Sequence, residues 1–196
     1  MIDLPDYPSP NDANVGLQDF GAFLTPGLGG PVQRINRLGD RFRISATMPP
    51  MPTKTGRKWV ARLIRGKREG VRMEYPLLDF APGATGTILI NGAAQAGSSL
   101  IVDGATPQYV FREGQPFSIL TGGKHHLYFV ATETVANGSG QATLPLTTML
   151  RRPHADNDPC HFAKPMIEGF VMGDELSWNL SIHHLIGLQF DIAESQ

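Results

Sequence analysis

The sequence predicts a mainly β fold, a β-sandwich with one short α-helix that is interrupted by an inserted small β-barrel domain. Three observations predict it. Several segments alternate apolar and polar residues with the period of two that strands require. Only one stretch carries apolar residues at helical spacing. The 22 glycines and 16 prolines among 196 residues break the chain too often for long helices.

The elements follow in order. Residues 1–16, acidic and proline-rich, read as an extended N-terminal arm, and their composition is the opposite of a secretory signal. In Arg41–Met48 the even positions are apolar and the odd ones polar, which predicts a strand with one buried face. Between Thr55 and Arg68 the period changes: Trp59, Val60, Leu63 and Ile64 form an apolar stripe, which predicts an amphipathic helix whose last turn Gly66 would loosen. From Gly83 onward, short strands at Ser99–Val102, Pro116–Leu120, His125–Thr132 and Gln141–Leu150 alternate with glycine turns, among them Asn137-Gly138-Ser139-Gly140. That rhythm predicts a small barrel. Alternation then returns in Leu176–His183 and Ile186–Ile192, with the parity of Phe42–Met48, so these strands are expected to share one sheet. The organisation is a sandwich of residues 17–80 and 166–196 with a barrel of residues 83–163 inserted, since exposed turns such as Pro82-Gly83 and Lys164-Pro165 tolerate insertions.

Composition narrows the function. A net charge of −1 favours no polyelectrolyte partner for the chain as a whole, and the lone Cys160 excludes a disulfide framework and multi-cysteine metal sites. No run of roughly 20 apolar residues suggests a membrane span. His125-His126 and His183-His184 are adjacent pairs; strand neighbours point to opposite faces, so neither pair chelates one ion, and solvent-facing imidazoles beside a small buried thiol are expected. His154, Cys160 and His161 lack the paired spacing of a zinc site. No Gly-x-Ser-x-Gly elbow is present, Asp156/Asp158 and Asp174-Glu175 read as turns, and Gly27-Leu28-Gly29-Gly30 lacks the Lys-Ser/Thr of a phosphate loop and reads as a flexible hinge. The expectation is a protein without catalytic residues, metal or cofactor. One charge feature departs from background: 8 of the 17 basic residues fall within 19 positions, opposed only by Glu69. Because no stacking aromatics interleave them, Arg57, Lys58, Arg62, Arg65 and Arg68 are read as a solvated face or a subunit interface meeting acidic neighbours, in preference to a nucleic-acid site.

Arg-Phe-Arg-Ile (41–44), Gly-Arg-Lys-Trp-Val-Ala-Arg-Leu-Ile-Arg-Gly (56–66), Asn-Gly-Ala-Ala-Gln-Ala-Gly (91–97) and Arg-Glu-Gly-Gln-Pro-Phe-Ser-Ile (112–119) occur in that order. They are followed by His-Leu-Tyr-Phe-Val (126–130), Asn-Gly-Ser-Gly-Gln-Ala-Thr-Leu-Pro-Leu (137–146), Met-Leu-Arg (149–151) and Cys-His-Phe-Ala-Lys-Pro-Met (160–166). Over most of residues 30–193 this order of turns and strand starts resembles the distal tail and minor tail proteins of siphophages. The resemblance implies a structural virion protein at the phage tail tip, assembled in the host cytoplasm. It implies a homo-oligomeric ring, usually a hexamer, that joins the tail tube protein to the baseplate hub protein. The alternative is a carbohydrate-binding or receptor-binding β-sandwich module of the tail tip, which would need exposed aromatics; Tyr109, Phe111, Tyr128 and Trp178 are its candidates, and Trp178, like Trp59, has the parity of a core residue.

Overall fold

In the computed structural model, which describes residues 1–78 and 80–195, the chain begins with β1 (Ile2–Asp3), β2 (Asp12–Gln18), β3 (Ala22–Leu24), β4 (Gln33–Ile35) and β5 (Arg41–Pro52). The helix α1 (Thr53–Glu69) leads into β6 (Val71–Glu74). The insert carries β7 (Gly86–Ile90), β8 (Ser99–Ala105), β9 (Val110–Phe111), β10 (Pro116–Thr121), β11 (Lys124–Phe129), β12 (Thr134–Val135), β13 (Ala142–Pro145) and β14 (Cys160–His161). The chain ends with β15 (Met166–Val171), β16 (Trp178–Leu180) and β17 (Leu185–Glu194).

The fold is mainly β with a single helix and several sheets. The predicted parity governs the largest sheet, whose order is β1-β6-β15-β17-β5-β2 with β16 also paired to β17. Phe42, Ile44, Ala46 and Met48 from β5 and Ile186, Leu188, Phe190 and Ile192 from β17 are buried on one face. β5 runs past Met48 because its ladder with β17 skips Pro49 and Pro50 at an irregularity opposite Gly187, and proline has no amide proton to give. α1 covers part of the apolar face, with Trp59 5.9 Å from Phe190. The insert covers another part, with Phe129 4.8 Å from Phe42. The second layer of this sandwich-type arrangement is therefore a helix plus the edge of another unit.

Gly66 does not loosen α1. The helix runs through it to Glu69, and glycine is needed there because a Cβ would collide with Val71 and crowd Val171. Residues 1–16 do not stand apart as an arm. β1 pairs in parallel with β6 at one edge of the sheet, β2 pairs with β5 at the other, and the segment between them crosses α1, where Trp59 Nε1 donates to the Tyr7 carbonyl at 3.4 Å.

The insert has its own core, centred on Phe111, Phe117, Tyr128 and Phe162, but none of its sheets closes into a barrel. Two three-stranded sheets, β13-β8-β7 and β11-β10-β14, are linked by the isolated bridges Leu89↔Pro159 and Val130↔Leu146. The expected long strands at 125–132 and 141–150 stop at Phe129 and Pro145, where the chain turns between those sheets.

Candidate functional site

The basic run folds as expected on the outer face of α1. Arg57, Lys58, Arg65 and Arg68 are exposed and Arg62 partly so. Arg62 donates to the Asp3 carbonyl at 2.6 Å. Arg65 and Arg68 meet Glu69 at 2.8 and 3.5 Å, and the hydrogen bond from Arg65 holds the Glu69 carboxyl below its ordinary range. The first turn contains no acidic residue and no side-chain cap, so Lys54 lies at the positive end of the helix dipole, where cations are destabilising, and Arg57 and Lys58 follow it in the second turn. Eight cations against Glu69 leave residues 54–72 at +7, while the other nine cations and seventeen carboxylates leave the rest at −8. The charge of the molecule is thus strongly segregated.

Sequence parity did not show where apolar residues would stay uncovered. Among the described residues β3 and β4 pair only with each other, forming a two-stranded ribbon that continues the β2–β5 pair beyond the body. The Gly27–Gly30 segment is the ribbon's tip. Register puts Ala22 opposite Ile35 and Leu24 opposite Gln33, so Leu24 and Ile35 share one face. Phe23 is on the other, under the Arg34 guanidinium at 5.3 Å, which Asp19 anchors at 2.6 Å. Leu24, Leu28, Val32 and Ile35 are all exposed, Leu28 completely.

The second uncovered surface is a shelf formed by β16 and its turn into β17. Only Trp178–Leu180 of the expected 176–183 strand is paired. Trp178 lies opposite Leu188 and Leu180 opposite Ile186, so both have the predicted core parity. They are nonetheless 40% and 68% exposed, because no described residue covers that face of β16. Trp59 is a core residue at 1% exposure, and Trp178 is not. Ile182 extends the same exposed surface, whereas Leu185, next to Ile186 in β17, points to the opposite face of the sheet.

Among the other aromatics proposed as ligand platforms, Phe111 and Tyr128 are fully buried. Tyr109 is half-buried and its hydroxyl donates to the Pro82 carbonyl at 2.9 Å. Trp178 alone of the four is exposed.

The histidines of β11 are buried, not solvent-facing, because that strand is covered on both sides. His125 meets Ser118 Oγ at 3.1 Å and lies 5.1 Å from the His161 ring. His126 lies 5.8 Å from the His154 ring, and His154 contacts Thr121 at 2.6 Å and the Tyr128 hydroxyl at 3.3 Å. Burial, assisted by nearby guanidinium groups, pushes His125 and His154 down to about 4 and His126 to about 3. Cys160 is the expected buried thiol, and burial raises its pKa far above the ordinary range. Among the described residues no three His, Cys, Asp or Glu side chains converge as a metal site, and no helix is long and apolar enough to cross a membrane.

Two carboxylates hold the insert to the large sheet. Glu194 accepts the Leu127 and Phe42 amides at 2.9 and 2.8 Å and receives both terminal nitrogens of Arg151 at 2.8 and 3.0 Å. Glu168 accepts the His125 amide at 3.2 Å and Arg72 at 2.8 Å. Sequence reasoning gave this role to none of the four: Arg72 was counted only in the basic run, and Arg151, Glu168 and Glu194 look like ordinary surface charges until the fold pairs them. Compared with protein-family models and with curated proteins, the chain matches none.

Proposed function

We propose that this chain is a structural protein of a long-tailed phage, a distal tail protein whose copies form a ring, of six by the family resemblance, joining the tail tube to the baseplate hub. The observation that supports it is the pair of uncovered apolar surfaces at two non-equivalent places on the molecule, the β3–β4 ribbon beyond Arg41 and the shelf at β16. An apolar patch of this kind marks an interaction site, and contacts between non-equivalent surfaces build rings when they close and filaments when they do not. The cations of α1, including Arg57, Lys58, Arg62, Arg65 and Arg68, then face the acidic remainder of a neighbouring molecule, which offsets the charge crowded at the helix start. On this reading the work is done by interfaces, without cofactor or reactive site, and the insert projects from the ring. The test is imaging and mass photometry of the purified protein over a concentration series up to tens of micromolar. Closed particles of uniform rotational symmetry are expected; a monomer at every concentration, with and without chemical cross-linking, overturns the reading.

A further inference from the structure

Resting on the self-association just proposed, we infer that the Leu24/Ile35 face of one copy's ribbon packs on the Trp178–Leu180–Ile182 shelf of the next copy.

Geometry excludes the contact within one chain. The ribbon leaves β5 at Arg41, whereas Trp178, at the shelf's nearer end, lies opposite Leu188, which pairs with Met48. Seven residues of strand at ~3.3 Å each separate the two by roughly 23 Å, and the ribbon, continuing the β2–β5 pair past Arg41, runs in the opposite direction. A shelf can therefore be met only by another molecule's ribbon.

The two surfaces suit each other. The shelf carries core parity, beside Leu188 and Ile186, yet lacks a covering layer. A two-stranded ribbon laid on β16 supplies that layer as one sheet packs on another, ~10 Å away. The ribbon has the matching deficit, because two strands with no third strand or packed helix are marginal in water. Its Leu24/Ile35 face bears no charge, while Arg34 and Asp19 satisfy each other through the opposite side. The areas also match. From their exposures, Leu24, Leu28 and Ile35 on the ribbon and Trp178, Leu180 and Ile182 on the shelf each present about 400 Å², so the contact buries at most about 800 Å², the size of a weak contact that repetition around a closed assembly strengthens. Every copy would give one ribbon and receive one.

Single-cysteine variants test this directly, because the buried Cys160 is shielded from labelling. Leu24→Cys and Leu180→Cys are prepared separately, each checked for an unchanged melting temperature, and treated with a short bis-maleimide alone and as a mixture. The contact predicts covalent dimers in the mixture and almost none in either variant alone, and a ladder of multimers from the Leu24→Cys/Leu180→Cys double variant. Cross-linking of Leu24→Cys by itself shows ribbons meeting ribbons, and cross-linking of Leu180→Cys by itself shows shelves meeting shelves; either overturns the pairing but leaves self-association standing. A wild type that assembles by mass photometry while the mixture gives no cross-link likewise overturns only the pairing. A monomeric wild type with no cross-links removes both.

Discussion

Replacing Arg151 with Met should be among the costliest single changes available to this protein. The Arg151 and Glu194 side chains are 8% and 1% exposed, and the guanidinium also donates to the Leu127 carbonyl at 2.7 Å and lies over the Tyr128 ring at 5.1 Å. Methionine would keep most of the apolar contact and remove the charge. Glu194 would then be a buried carboxylate held only by the amides of Phe42 and Leu127, and stranding one partner of a buried pair costs about 3–5 kcal/mol. For a chain of this size that corresponds to a melting temperature lower by about 6–20 °C. Urea denaturation followed by far-ultraviolet circular dichroism gives the free energy, and hydrogen exchange at the Leu127 amide reports the joint itself. The double variant Arg151→Met/Glu194→Leu should recover much of the loss, because no charge is left unpaired. A single variant costing under about 1 kcal/mol, or a double variant costing the sum of the two singles, would refute the reasoning.

Gly66→Ala should cost about 1–3 kcal/mol through collision with Val71, with partial rescue by Val71→Ala, both read from urea midpoints. Trp59→Ala should lose about 3–5 kcal/mol and Trp178→Ala under about 1 kcal/mol in the monomer, so equal losses in thermal unfolding would contradict the assignment of one to the core and the other to the surface. His125, His126 and His154 titrate at about 4, 3 and 4 in the fold against 6.5 ordinarily, so the unfolded chain binds more protons once the pH drops below about 6.5. Stability should therefore fall by several kcal/mol, as an order of magnitude, from about pH 6.5 to 4 and level off below about 3; His126→Asn should flatten the curve, and a urea midpoint constant across that range would contradict the burial. Arg57→Glu/Lys58→Glu should leave melting unchanged to within about 0.5 kcal/mol per site, since both are exposed surface positions, while weakening assembly in mass photometry.

The large sheet was legible because parity records burial: Phe42–Met48 and Ile186–Ile192 could share a buried face only in registers of matching parity. The helix was legible from Trp59, Val60, Leu63 and Ile64 for the same reason, although Ile64 stays half exposed. Parity records a side chain's face but not what covers that face, so Trp178 and Leu180 read as core. Gly66 was misread because a sequence shows a glycine's freedom and hides the neighbour that demands it. His125 and His126 were misread because the rule of opposite faces holds on β11, yet both of its faces are covered. Of the candidate site, the basic face of α1 was visible as a charge run. The ribbon was hidden, since residues 19–40 contain too little alternation to signal paired strands, and a strand pair without a core leaves no hydrophobic rhythm.

Glu168 and Glu194 do for β11 what a neighbouring strand does in a sheet, since each carboxylate takes an amide from the strand's outer edge, at His125 and Leu127. A strand's carbonyls belong to the backbone and survive any substitution, so an edge joined in that way cannot be undone residue by residue. Carboxylates are side chains. Beside the packing of Phe129 on Phe42, the polar attachment of β11 therefore rests on two side chains, open to adjustment by point mutation while the strands on either side keep their own ladders. A backbone-joined unit would have to be remodelled to tilt; this one can be re-hung by changing the length of an acid, aspartate for glutamate, at either position.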